Sequence, residues 1–231
     1  MKFFKKIVFC IALCVFVFSG VTLFNYFNDS KVAHKEYVEV KETATLEELK
    51  KENKDLYGWI SIADTNIDYP VMFTPEDPEF YLRKNFQKEY AEEGVPFVDG
   101  HTDMENSYGM FIYGHQMKNG YMFNNITKYD KEGFFQKHKE VVLETVDEGK
   151  KVYEVFAFGK TETNADGFNV YNYLNIYTAD QYGEFIDGVK SISTYDTGIT
   201  PEYGEKIIVL STCSYHDEKG RYVLAAVEKN N

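Results

Sequence analysis

Residues 7–28 (IVFCIALCVFVFSGVTLFNYFN) form a run of 22 uncharged side chains, most of them Ile, Val, Phe, Leu or Cys. A chain with such a run must bury it or place it in lipid. As a helix it would extend about 33 Å, enough to cross the hydrocarbon core of a bilayer. Lys2, Lys5 and Lys6 flank its amino-terminal end, so the positive-inside rule keeps that end in the cytoplasm and the remainder outside. A cleaved leader is the alternative, but its apolar region usually spans about 7–15 residues with a small-residue site behind it. Here the run is longer, and Ser19-Gly20 falls inside it. The reading is a retained single-pass anchor in the cell membrane. Residues 1–28 are the cytoplasmic stub and transmembrane segment, 29–44 a polar stalk, and 45–231 one extracellular domain.

Removing residues 1–30 takes away three Lys and one Asp, leaving a net charge of −14 where the whole chain has −12. Nucleic acid as a partner is excluded on that balance, because phosphates require a basic footprint. Aromatic residues make up 17% of the chain, with 19 Tyr and 19 Phe, which is incompatible with disorder and demands a packed core. Cys10 and Cys14 lie in the apolar run, so Cys213 is the single cysteine of the exported part. A lone thiol in an oxidising compartment has no intramolecular partner, and a functional reason is expected for it.

Thr45-Leu46-Glu47-Glu48 has the capping-box pattern and opens a short helix with Leu46, Leu49 and Leu56 on one side. Residues 58–73 are β-branched and aromatic, and read as a strand pair turning at Asp64-Thr65-Asn66 and ending at Pro70. Residues 119–138 predict one or two short helices, and 141–145 and 151–158 a hairpin around Asp147-Glu148-Gly149. A second capping box at Thr178 precedes Tyr182, Phe185, Ile186 and Val189, one apolar stripe of a helix. Ile207–Thr212 and Arg221–Val227 close the chain as strands. Strands dominate without βαβ alternation, which predicts a mainly β protein, a closed antiparallel barrel or a sandwich with added helices.

Cys213 ends the strand KIIVLSTC, where alternation puts Ser211 and Cys213 on one face. Arg221 opens the next strand eight residues on, so a hairpin would bring a cation to the thiol. Such a cation lowers a thiol's pKa and receives a developing oxyanion. The bland alternatives are an inert buried thiol and a surface ion pair of Arg221 with Asp217 or Glu218. A cysteine nucleophile also needs an imidazole. His34 lies in the stalk and His138 ends a charged helix. His101, His115 and His216 remain, and the end of an apolar strand favours His115. No CxxC, HExxH, P-loop or GxSxG pattern occurs, so neither metal nor cofactor is expected.

The ordered set of YGHQM (113–117), VLSTC (209–213) and Arg221 resembles the sortase family of Gram-positive surface transpeptidases. GWISIADTNIDYPVM (58–72), YLRKNF (81–86), GVPFVD (94–99) and MKNGYMFNNITKY (117–129) are similar to its class B. Val209 stands where the usual signature has Thr, which removes a hydroxyl from the strand face shared with Ser211 and Cys213.

The resemblance implies a closed eight-stranded β-barrel with an N-terminal helical extension and an added helix before the strand carrying Cys213. It makes residues 45–231 the catalytic domain of a cysteine transpeptidase (a thiol protease by chemistry) without a cofactor. Cys213 becomes the nucleophile, His115 the general acid and base, Arg221 the oxyanion group, and Ser211 a substrate-binding residue. The implied reaction cleaves a C-terminal sorting motif after Thr and transfers the acyl group to a cell-wall amine. The implied partners are secreted proteins bearing the sorting signal, a lipid-linked peptidoglycan precursor, and the membrane through the N-terminal helix. A membrane-anchored cysteine peptidase or peptidoglycan hydrolase is the competing expectation.

Overall fold

The structure is a computed structural model that describes residues 2–163, 167–213 and 220–229, with the backbone alone at residues 2–3, 25–30, 32–33 and 36 and at Cys213. Eight strands close into one barrel in the order β1-β2-β3-β4-β7-β8-β6-β5. They are β1 (Leu56–Ser61), β2 (Asp68–Met72), β3 (Phe97–Val98), β4 (Gly109–Tyr113), β5 (Glu140–Thr145), β6 (Gly149–Glu162), β7 (Ile207–Cys213) and β8 (Gly220–Glu228). The barrel is mixed rather than antiparallel, because β2 pairs with β3 and β4 with β7 in parallel. Parallel neighbours need a long crossover, and the β4–β7 link uses β5, β6 and a helix on the outside. That helix is α4 (Ala179–Ser191).

Among the described residues, four α-helices accompany the barrel: α1 (Lys2–Thr43), α2 (Leu46–Glu52), α3 (Glu132–Phe135) and α4 (Ala179–Ser191). Both expected capping boxes form, at Thr45 with Glu48 and at Thr178 with Gln181. The α4 stripe of Tyr182, Phe185, Ile186 and Val189 is buried as its spacing requires. Leu56 does not continue the α2 face; it opens β1, because Asn53 ends the helix in extended conformation. The first strand pair runs past Pro70 to Met72. Beside β3, β2 pairs only at Met72, so the N–H that Pro70 lacks is not needed in that ladder.

Side-chain alternation sorts the core into two layers. On β7, Ile208 and Leu210 join the barrel interior, while Ile207 and Val209 join the layer beneath α4. On β8, Leu224 and Ala226 point inward and Val223, Ala225 and Val227 outward against the same helix. This period-two division is what a strand buried on both faces needs.

The polar segment 28–42 shows no sustained apolar period, yet it continues α1. Its carboxy-terminal part docks on the barrel: Tyr37 is buried edge-on against Tyr69, with ring centroids 5.9 Å apart. Lys41 Nζ lies 2.7 Å from Asp68 Oδ1, which also accepts the Trp59 indole N–H at 2.6 Å. His34 lies between Tyr69 and Tyr121, its ring tilted against both with centroids 5.4 and 5.1 Å away. In contrast, Phe4–Phe24 has a mean hydropathy of 2.8, is wholly exposed, and is long enough to cross a membrane.

Candidate active site

A cavity of about 470 Å³ opens where the ends of β4, β7 and β8 meet two loops. Tyr113, Tyr171, Ser211, Thr212 and Arg221 line one side; Leu82, Val95 and Phe97 line another, with Asp99, His101 and His115 completing it. The β7–β8 register sets Cys213 directly opposite Arg221, and β4–β7 sets Tyr113 beside Ser211. Two residues that are eight apart in sequence therefore become cross-strand neighbours through hairpin geometry alone.

His115 follows β4 by one glycine. A side chain at Gly114 would run into the Phe123 ring, with a built Cβ only 2.6 Å from Cδ2, so this position requires glycine for the close approach. The Gly114 N–H donates to Ser211 O at 3.1 Å, and Phe123 N–H donates to His115 O at 2.9 Å, which fixes the turn from both sides. The His115 Nε2 lies 2.9 Å from Leu82 O. A carbonyl only accepts, so Nε2 carries the hydrogen in this arrangement. Burial pushes the His115 imidazole below its ordinary value, with the Leu82 bond acting in the opposite direction.

Ser211 is buried and its Oγ lies 2.8 Å from the Tyr171 hydroxyl. Tyr171 stacks on Tyr113, whose hydroxyl donates to Asp99 Oδ2 at 2.9 Å. Burial and the Asp99 carboxylate push the Tyr113 phenol up, so it stays a neutral donor. Arg221 Nη1 donates to Gly220 O at 2.9 Å, and its charge acts on Tyr113. Tyr171, Tyr113 and Asp99 were not singled out by sequence reasoning. The motif GVPFVD did mark the segment holding Asp99, but not what its carboxylate would meet.

The structure brings His115, Ser211 and Arg221 to one cavity and sets the Cys213 backbone at its edge. His101 joins the same cavity, whereas His34 and His138 do not. His138 Nδ1 lies 2.9 Å from Ala63 O and its ring packs on Phe134. His216, Asp217 and Glu218 lie outside the described residues. Val209 corrects one expectation: it is fully buried beneath α4 and does not line the cavity. A strand face shared near its end need not share an environment four residues earlier. At that distance along β7, α4 covers the face.

This barrel, with a cysteine-bearing strand beside an arginine-bearing one, is the framework of a cysteine transpeptidase. Residues 60–229 match the family model described as a Sortase domain, and the chain belongs to the sortase family. Its likeness within the family is to sortase B. The sortase B of Listeria monocytogenes is 32% identical over 241 residues, covering 96% of each chain. That of Staphylococcus aureus is 30% identical over 198 residues, covering 84% of this chain and 76% of the relative. The crystal structure of sortase B from B. anthracis in complex with AAEK1 superposes with a TM-score of 0.77 at 26% identity, covering 90% of this chain and all of that one.

Proposed function

We propose that the protein is a membrane-anchored class B sortase that cleaves a C-terminal sorting motif after Thr and joins the new carboxyl to a cell-wall amine. The Cys213 thiolate attacks the Thr carbonyl, and Arg221 steadies the tetrahedral oxyanion. His115 protonates the departing amine, leaving a thioacyl-enzyme. Ser211 holds the substrate backbone. An amine of a lipid-linked peptidoglycan precursor then attacks the thioester, and the secreted protein becomes fixed to the wall. Residues 1–28 are the cytoplasmic stub and membrane anchor, 29–44 the connection, and 45–231 the catalytic domain outside the cell.

The observation that carries this reading is the pairing of Cys213 with Arg221 across β7 and β8, at the edge of the cavity that His115 and Ser211 line. Support for the substrate class comes from the S. aureus structure described as a "sortase B-substrate complex", which has a TM-score of 0.72 and 26% identity. Support for the anchor comes from the apolar exposed helix Phe4–Phe24, with Lys2 just before it and Lys5 and Lys6 in its first turn. Incubation with a sorting-type peptide and an amine, followed by mass spectrometry, tests the reaction. Acyl transfer to the amine is expected. Release of the free acid alone would make the protein a peptidase, and the absence of a covalent adduct would make it a binding module.

A further inference from the structure

Two imidazoles reach the cavity in opposed settings. His115 is largely buried and tied to Leu82 O, whereas the His101 side chain is 72% exposed. His101 Nδ1 lies 3.0 Å from Asp99 Oδ1, and the same oxygen accepts the His101 backbone N–H at 2.8 Å. A carboxylate in that position accepts a hydrogen bond, which fixes the proton on Nδ1 and leaves Nε2 with its lone pair. Asp99 is itself buried and held by the Tyr113 hydroxyl, so the orienting group is anchored to β4. Carboxylate, imidazole and an open ring nitrogen form the arrangement of an oriented base.

The second half of the reaction has a use for such a base. An aliphatic amine is mostly an ammonium at neutral pH. It must lose two protons in becoming an amide nitrogen: one before its lone pair can attack, one from the tetrahedral adduct. The C–N bond forms, the C–S bond breaks, and sulfur leaves as the thiolate. His115 accounts for one proton. We propose that His101, oriented by Asp99, is the general base that takes the other, from the incoming ammonium. Exposure suits this role, because the acceptor arrives from outside while the acyl chain fills the groove. Glu79 also lines the cavity, but a carboxylate is a far weaker base than an imidazole. The inference rests on the reading of Cys213 and His115 given under Proposed function.

The test compares two acceptors on the same acyl-enzyme at neutral pH. One is triglycine or meso-diaminopimelate, whichever the wild-type protein uses faster; the other is hydroxylamine, whose nitrogen is already unprotonated. Replacing His101 should lower the ratio of the first rate to the second by roughly 100-fold, the lower end of the range for a general base. Added imidazole should restore part of the loss in His101→Ala, and Asp99→Asn should fall between this variant and wild type. An unchanged ratio in both His101→Ala and His101→Gln would overturn the role of His101. So would an equal loss with both acceptors. If the wild-type protein forms no thioacyl species, the reading of Cys213 fails first and the role of His101 falls with it.

Discussion

The two walls of the cavity are built in different ways. One is made by strands: Tyr113, Ser211, Cys213 and Arg221 take their places from the pairing of β4, β7 and β8. The other is made by two connecting segments: Leu82, from a short 3-10 turn, is tied to His115, while Asp99 is tied to Tyr113 and in turn holds His101. On the strand wall, register decides position, so a substitution removes chemistry and leaves the frame. On the loop wall, position depends on individual side chains and carbonyls, so a substitution shifts geometry as well.

The largest effect should come from the strand wall. Cys213→Ala is expected to abolish thioester formation and turnover while the melting temperature stays near wild type. A methanethiosulfonate reagent should label the soluble domain once in the wild-type protein and not at all in this variant. His115 belongs to both walls, since it follows β4 but leans on Leu82. His115→Ala should lose at least roughly two to three orders of magnitude in rate, within the range of a general acid–base group. Comparable activity in that variant would remove the imidazole from the reaction.

A subtler break targets the seam between the walls. Gly114→Ala keeps every reacting group, yet its new methyl meets the Phe123 ring and must displace the His115 turn. It should cost stability, about 1–3 kcal/mol as for other overpacked sites, and also slow the rate. Full activity with an unchanged melting temperature would mean that the turn tolerates the methyl.

The smallest effect is in the response to pH. His115 and His34 both titrate below their ordinary value near 6.5 because burial disfavours the charged form. In each case the unfolded chain binds more protons than the folded one in the window between the two pKa values. Stability is therefore highest above the unfolded value and falls as pH drops from about 6.5 toward the lowered folded values. His34→Gln should flatten that fall without touching the active cavity, because His34 lies between Tyr69 and Tyr121 on the α1 side. Chemical denaturation across this range reads the difference, and an identical slope in the variant would detach His34 from it.

The contrast between the walls also explains what the sequence disclosed. Alternation along KIIVLSTC and the eight-residue step to Arg221 encode the strand wall directly, because a hairpin converts spacing into proximity. The α4 stripe and both capping boxes were legible for the same reason: each is a local rule. The closure of the barrel, its parallel β4–β7 pairing and the Asp99–Tyr113 bond join residues from separate segments through contacts that no short spacing signals. Val209 shows the limit of a face argument, since α4 covers one stretch of β7 and the cavity begins where that cover ends. The docking of α1 was hidden because the stripe that docks, Tyr37, Val40 and Ala44, is short and interleaved with charged residues.

The Arg221→Lys variant tests the central claim most directly, because it keeps the charge opposite Cys213 and removes only the planar fork of donors. Transpeptidation rate and melting temperature are measured together on the wild-type protein and this variant. If Arg221 receives the oxyanion, the rate should fall by an amount equivalent to about 3–4 kcal/mol, the cost of one lost donor of this kind, with the melting temperature nearly unmoved. A near-normal rate in the Lys variant would contradict the account and leave Arg221 as an ordinary cation beside the cavity.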